Sequence, residues 1–233
     1  QRLVFNYTKL LFSGLLLIEE PKNILIIGLG GGTMSNTLHQ LYPKSIITNV
    51  EIDPAVVKVA RQYFGFLENQ NITSVIQDGR IFIKRAIIKK QKYDWIILDA
   101  FNGDYIPEHL LTQEFIQETK SLLNKDGVLS ANTFSVSDLY AHESATYKSV
   151  FGHFFNVRNY KNSNRIILAS KGKLPSLTVI NQRVSALKDR LTPFGVDIEQ
   201  VSNQMTSTII EQDWPENTKI LTDQFSPANL LNN

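Results

Sequence analysis

The chain contains no cysteine and only four histidines. The absence of cysteine excludes disulfide bonds, thiolate catalysis and zinc sites built from cysteine, and it fits a reducing compartment. The histidines are scattered along the chain without the spacing that metal ligands show, so we expect no metal site. They are His39, His109, His142 and His153.

Excess charge and long apolar runs are also missing. With 24 basic and 22 acidic residues, the formal net charge is +2, which offers no broad basic field to a nucleic acid. The longest apolar run, residues 10–18, is broken by Ser13 and Gly14 and is far shorter than the roughly 20 residues of a membrane span. We therefore expect a cytoplasmic protein with a small-molecule partner.

The opening Gln1, in place of Met, leaves open that the chain is a fragment or a processed product.

A strand followed by a glycine-rich turn is the most informative stretch. The four aliphatic residues 24–27 predict a strand buried on both faces, as in a parallel sheet. Residues 28–32 include four glycines, which allow a sharp turn and a close approach to a ligand. A helical pattern begins at Thr33. A strand, a glycine turn and a helix N-terminus together predict a site for a nucleotide-like ligand.

Acidic side chains follow the next three predicted strands. Carboxyl ends of parallel strands meet at one edge of a sheet, so we expect these acids to share that edge. Asp53 has a second interpretation, because capping of the next helix alone explains it. The acids are Glu51 and Asp53 at the end of strand 46–52, Asp78 after strand 72–76, Asp99 after strand 93–98, and Asp104 in the loop 99–107.

The order of patterns predicts an α/β domain with a mostly parallel sheet and helices on both faces. Five alternating strand and helix units end in an antiparallel hairpin formed by 154–160 and 165–169. We expect one domain over 1–233, in which residues 1–20 form a helix covering the mouth of the sheet and residues 176–233 are a C-terminal elaboration. The pattern of 176–191 is a clean amphipathic helix.

Four motifs in this order resemble the spermidine synthase family of polyamine aminopropyltransferases, as does the closing stretch 221–229. The resemblance runs from about Tyr7 to Leu231. It implies a Rossmann-like, class I methyltransferase-type fold and a homodimer. It also implies that decarboxylated S-adenosylmethionine donates an aminopropyl group to a polyamine as co-substrate, releasing methylthioadenosine. The four motifs are Ile27–Gly32, Val50–Asp53, Gln77–Arg80 and Ile97–Phe101.

The resemblance also implies roles for individual residues. Asp99 corresponds to the catalytic acid, and Tyr7 to a tyrosine that borders the amine channel. The family's second acid falls at Asn102 in strict register, and Asp104 replaces it only if the loop is longer. The implied donor contacts are Gly28, Gly30 and Gly32 around the adenosyl-sulfonium group, Glu51 on the ribose hydroxyls, Asp78 on the adenine amino group, and Gly79 beside the ring.

Two departures keep other functions open. Gly31 stands where the family has an aspartate that holds the donor's ammonium group, and the family's N-terminal β-hairpin domain is absent from these residues. The loss of the loop carboxylate favours an S-adenosylmethionine-dependent methyltransferase on the same fold, because the intact donor carries its own carboxylate. A non-catalytic nucleoside-binding module is the third hypothesis. For Asp99 the alternative to a catalytic role is that it only caps the loop that follows, and for Tyr7 the alternative is that it only packs in the core.

Overall fold

The computed structural model describes residues 2–101, 105–135, 139–158 and 164–227. Its centre is one eight-stranded sheet in the order β3-β2-β1-β4-β5-β7-β6-β8. The first five strands are parallel, and β7, β6 and β8 add antiparallel pairs at one end. The strands are β1 (Asn23–Ile27), β2 (Ile46–Glu51), β3 (Ile72–Ile76), β4 (Tyr93–Leu98), β5 (Leu123–Phe134), β6 (Phe155–Arg158), β7 (Asn164–Ser170) and β8 (Met205–Ser207).

Helices join the strands, and most begin where a polar side chain caps them. Asp53, Thr112 and Ser176 each accept a hydrogen bond from a backbone N–H in the first turn that follows. No helix in the described part of the chain is long and apolar enough to cross a membrane. The helices are α1 (Asn6–Leu11), α2 (Thr33–Leu41), α3 (Pro54–Tyr63), α4 (Gly79–Ile88), α5 (Gln113–Leu122), α6 (Leu139–Phe151), α7 (Leu177–Leu191) and α8 (Ile198–Asn203).

Strand β1 is buried on both faces, as its aliphatic run predicts. Ile24 and Ile26 belong to one hydrophobic core, which also contains residues of α1, α2, α3, α7 and α8. Leu25 and Ile27 belong to the second core, formed with α4, α5 and α6. Alternate side chains of a strand point to opposite faces, so the sheet carries helices on both sides. The α/β class and the mostly parallel sheet are confirmed.

The predicted N-terminal helix 2–18 is shorter and partly of another type. Helix α1 ends at Leu11, and residues Phe12–Leu16 form a 3-10 turn that is fully buried. Gly14 allows this turn to lie against the indole of Trp95, because a Cβ at Gly14 would overlap the ring. The segment is therefore a core element, and only its Tyr7 reaches the functional edge of the sheet.

Three other details differ from the sequence prediction. Strand β5 begins at Leu123, because α5 ends one residue earlier and the chain pairs with β4 before Gly127 as well as after it. Helix α8 and strand β8 were not predicted, since six and three residues are too short to show a period. The hairpin of β6 and β7 is confirmed, with residues 159–163 of its loop outside the described part.

A buried ion pair fastens α6 to the sheet. Arg165 on β7 lies 3.2 Å from the Glu143 carboxylate on α6, and both side chains are fully buried. The guanidinium also donates to Thr133 Oγ1 at 2.9 Å and to Ser144 Oγ at 2.6 Å. These hydrogen bonds compensate part of the cost of removing two charges from water.

Removal of one member of this pair should destabilise the protein strongly. Arg165→Met leaves Glu143 buried without its partner, which costs about 3–5 kcal/mol in the free energy of unfolding. Urea unfolding followed by circular dichroism measures the cost, with Arg85→Met on the exposed side of α4 as the control. The double variant Glu143→Leu/Arg165→Met should recover much of the loss. A cost for Arg165→Met no larger than that of the control would contradict the interpretation.

Candidate functional site

A cavity of about 740 Å³ opens at the carboxyl edge of the parallel strands. It lies where the strand order reverses, between β1 and β4, which is the usual ligand position in open α/β sheets. The ends of these strands touch: Asp99 N–H donates to the Ile27 carbonyl at 2.8 Å. Gly28, with φ of 98°, makes this possible, because a Cβ at Gly28 would overlap the Asp99 carbonyl.

Only part of the glycine loop, residues 28–32, lines the cavity wall. Gly28 and Gly30 line the cavity, together with Leu29. Gly32, which the sequence placed in the same group, instead begins α2 with φ of 67°, and a Cβ there would lie 2.5 Å from the Phe66 ring. Gly31 lies outside the wall too, and a Cβ there would come within 3.1 Å of the Phe64 ring.

Glu51 is fixed at the end of β2 by backbone donors. Its Oε2 accepts from Leu29 N–H at 3.0 Å, and its Oε1 accepts from Asp53 N–H at 3.1 Å. A carboxylate has about four lone-pair positions, so each oxygen can accept a further hydrogen bond from a ligand. Asp53 lines the cavity and also caps α3 through Ala55 N–H at 2.7 Å, so both interpretations of Asp53 apply.

Asp78 lies on the same wall and is held at both oxygens. Its Oδ1 accepts from Ile81 N–H at 2.9 Å, which caps α4, and its Oδ2 lies 2.8 Å from His109 Nε2. Burial raises the pKa of Asp78, but these two hydrogen bonds, the charge of His109 and the backbone N–H of Arg80 together outweigh burial and hold the pKa below its usual value. Gly79 lines the cavity as expected and also packs tightly, since a Cβ there would lie 2.5 Å from Ile27 Cγ2.

The other end of the cavity is built around Asp99. Asn132 on β5 donates from Nδ2 to Asp99 Oδ1 at 2.8 Å, and Asn164 on β7 donates from Nδ2 to Asn132 Oδ1 at 3.1 Å. Tyr7 of α1 lines the same region. The structure thus brings Tyr7 and Asp99 together, as the sequence predicted, and adds two amides that hold the carboxylate.

Burial raises the pKa of Asp99 and of Tyr7, the two residues predicted to lie beside the acceptor amine. It raises the pKa of Asp99 to about 7, although the hydrogen bond from Asn132 opposes the shift. Burial, with a smaller contribution from the Asp99 charge, raises the pKa of Tyr7 to about 12. Tyr7 therefore stays a neutral hydroxyl at neutral pH, while Asp99 is able to accept a proton near pH 7.

Sequence reasoning missed three residues of this wall. Asn132, like Asp99, lies near the carboxyl end of a predicted strand. It was missed because only charged residues were considered at these positions. Asn164 begins a strand of the antiparallel hairpin, and His109 lies in a 3-10 turn of residues Glu108–Leu110. No period or spacing in the sequence indicates either of these two positions.

Asp104 and Asn102 lie outside the described residues. Within the described ranges, no group of three or more side chains is arranged to hold a metal ion.

The charge of the cavity wall is one-sided. Among the described residues that line it, four carry carboxylates, and none is a lysine or an arginine. The neighbouring Arg80 does not face the cavity, because it is committed to Asp223 and Glu118. Such a wall attracts cations and repels anions. The four acidic residues are Glu51, Asp53, Asp78 and Asp99.

Comparisons with known proteins agree with this geometry. The family model described as "Spermine/spermidine synthase domain" matches residues 5–168. A curated relative from Vibrio vulnificus, named polyamine aminopropyltransferase, is 51% identical over 99% of this chain and 77% of its own length.

Solved structures share the fold. A probable spermidine synthase from Corynebacterium glutamicum superposes with a TM-score of 0.73 at 22% identity, over 96% of this chain and 82% of that one. Human methyltransferase-like protein 13 in complex with SAH reaches the same TM-score at 24% identity, over 92% and 97% of the two chains. Both neighbours confirm the class I methyltransferase-type fold. The family match over most of the chain and the identity to the Vibrio protein show that this chain belongs to the spermine/spermidine synthase family.

Proposed function

We propose that the chain is a polyamine aminopropyltransferase that uses decarboxylated S-adenosylmethionine as donor and a polyamine as acceptor. The observation that carries this proposal is the acidic wall of the 740 Å³ cavity, which has no lysine or arginine among its described residues. Both substrates are cations: the donor has a sulfonium and an ammonium group, and the acceptor has several ammonium groups. The name of the Vibrio relative supports the same activity.

The wall also distinguishes two donors. Intact S-adenosylmethionine differs from the decarboxylated donor by one carboxylate, which would enter a cavity lined by four acidic side chains. Like charges repel more strongly in a protein cavity than in water, because the effective dielectric constant is lower there. The amide groups at the start of α2 attract an anion, but they would have to overcome this repulsion. The decarboxylated donor avoids the repulsion entirely.

The donor's nucleoside is assigned to the wall formed by β1, β2 and β3. Glu51 retains free lone pairs for the ribose hydroxyls, and Asp78 for the adenine amino group. In this proposal Gly28 and Gly30 leave room for the sulfonium, and the aminopropyl chain extends from it toward Asp99. Tyr7 and Asp99 then border the acceptor amine.

The reaction is a direct displacement. The lone pair of a neutral amine attacks the carbon next to the sulfonium, a C–N bond forms, and the C–S bond breaks. The electron pair of the C–S bond stays on sulfur, so that methylthioadenosine leaves as a neutral thioether. Before the attack the acceptor ammonium loses a proton to Asp99, whose Oδ1 is held by Asn132, and the product nitrogen is a secondary ammonium.

Deprotonation of the acceptor is a considerable part of the barrier. An alkylammonium with a pKa near 10.4 costs about 4.6 kcal/mol to deprotonate at pH 7. An aspartate of ordinary pKa is a poor base for this proton. Because burial raises the pKa of Asp99 to about 7, its proton affinity is closer to that of the amine, as general base catalysis requires.

The homodimer and the cytoplasmic location belong to the same proposal. Size-exclusion chromatography with light scattering tests the dimer: a mass near twice 26.5 kDa supports it, and a mass near 26.5 kDa contradicts it.

Asp99→Asn should abolish aminopropyl transfer and leave nucleoside binding intact. Loss of a general base lowers kcat by about 10²–10⁴-fold, while Glu51 and Asp78, which are assigned to the nucleoside, are unchanged. The assay incubates the protein with decarboxylated S-adenosylmethionine and a panel of di- and triamines and measures methylthioadenosine by mass spectrometry. Asp189→Asn, an exposed aspartate on α7, is the control and should have wild-type activity.

The identity of the product decides between the hypotheses. Methylthioadenosine formed only in the presence of amine establishes aminopropyl transfer. S-adenosylhomocysteine formed from the intact donor in the presence of a cell extract would instead make the protein a methyltransferase. Neither product, in a protein that binds the nucleoside tightly, would indicate the non-catalytic module.

The pH dependence of kcat/KM for the amine should change slope near pH 7. Asp99 must be ionised to accept the proton, so activity falls as pH drops through its pKa of about 7. The acceptor, with a pKa of about 10.4, enters as the ammonium whose proton Asp99 takes, and it stays protonated across this range. On a logarithmic plot the slope should therefore be about one below this break and about zero above it.

Asn132→Ala should move the break to higher pH, because the hydrogen bond from Asn132 lowers the pKa of Asp99. Asn124→Ala is a matched control, since Asn124 also donates to a strand carboxylate, that of Asp94, away from the cavity. An unmoved break in Asn132→Ala, or a break that persists in Asp99→Asn, would show that another group titrates.

A further inference from the structure

His109 lines the cavity and contacts Asp78, the residue assigned to the adenine amino group, but it has no role in the mechanism described above. Its Nε2 lies 2.8 Å from Asp78 Oδ2, and both residues line the cavity. The side chain of His109 is 46% exposed and that of Asp78 is 20% exposed, so the pair lies at the cavity mouth. An isolated pair at such a position contributes little to stability. Its location therefore indicates another purpose.

The ionisation of Asp78 shows which residue of this pair is the hydrogen-bond donor. The pKa of Asp78 lies below its ordinary value, so the group is a carboxylate at neutral pH and only accepts hydrogen bonds. The Nε2 atom of His109 must then carry the hydrogen. Together with Ile81 N–H on Oδ1, this bond fixes the plane of the carboxylate at both oxygens.

The backbone of His109 is held in place from the other side. Arg80 donates to the His109 carbonyl at 3.4 Å, and it forms two hydrogen bonds to the Asp223 carboxylate at 2.6 and 2.7 Å. Asp223 also accepts from Thr112 Oγ1 at 2.7 Å, and Ser226 Oγ donates to the Glu108 carbonyl at 3.1 Å. The C-terminal segment 221–227 thus supports the short turn that carries His109.

We propose that His109 is a positioning residue of the nucleoside site, which orients the Asp78 carboxylate so that Asp78 selects a 6-amino purine over a 6-oxo purine. The proposal rests on the proposed function, because Asp78 receives the base only if the cavity takes an adenosyl donor. With one lone pair on each oxygen already engaged, the remaining lone pairs point in fixed directions. A purine amino group is a donor that matches them, whereas a purine oxygen meets them as a second acceptor and is rejected.

The test compares two nucleosides on four proteins. Isothermal titration calorimetry gives the Kd of methylthioadenosine and of methylthioinosine, its 6-oxo analogue, for the wild type, His109→Ala, His109→Gln and His153→Ala. His153 is exposed and does not line the cavity, so its variant is the matched control. In Gln the side-chain amide donates a hydrogen bond in place of Nε2.

We expect His109→Ala to bind methylthioadenosine about 10-fold more weakly, the effect of one charge-assisted hydrogen bond. Binding of methylthioinosine should change little, so that the preference for the amino compound shrinks. His109→Gln should regain most of the preference, and His153→Ala should match the wild type.

Four results would overturn the proposal. Equal weakening of both nucleosides in His109→Ala would show a merely structural role, and tighter binding of methylthioadenosine would show that His109 competes with the base. No change in either Kd would show that the pair is incidental. Failure of the wild type to bind methylthioadenosine would overturn this proposal and the proposed function together. Selective binding without turnover of the decarboxylated donor would overturn the proposed function alone.

Discussion

The close contact of β1 and β4 at their carboxyl ends is the constraint on which the site depends. A side chain at Gly28 would overlap the Asp99 carbonyl, so only glycine allows these two strands to end side by side. The contact brings the glycine loop, which follows β1, next to the carboxylate that follows β4. Donor and acceptor must meet within bonding distance in the proposed displacement, and this junction brings together the groups that the proposal assigns to them.

The chemistry follows from how the acidic wall is solvated. Glu51 and Asp78 are held by backbone N–H donors, and the hydrogen bonds to Asp78 keep it ionised despite partial burial. Asp99 has a weaker set of partners in a deeper position, and its pKa rises to about 7. Asp78 therefore stays ionised at neutral pH, whereas Asp99 exchanges a proton near pH 7.

Most of the fold and half of the site could be predicted from the sequence, for identifiable reasons. Aliphatic runs mark strands buried on both faces, and parallel strands bring their carboxyl ends to one edge, which located Glu51, Asp78, Asp99 and three of the four predicted glycines. Gly32 was placed in the wall because spacing does not reveal that it is the residue before α2 and lies against Phe66. His109 and Asn164 could not be found, because their positions depend on tertiary contacts in a 3-10 turn and an antiparallel strand.

The antiparallel extension of the sheet connects stability to the site. Thr133 and Arg165 are paired in the register of β5 and β7, their side chains are hydrogen-bonded to each other, and Arg165 pairs with Glu143 on the α6 side. Their chain neighbours Asn132 and Asn164 bond each other and reach Asp99, since alternate residues of a strand point to opposite faces. The buried ion pair and the amides thus hold the same two strand ends from opposite sides. A parallel sheet ending at β5 would leave Asn132 without Asn164, and Oδ1 of Asp99 would lose its fixed orientation.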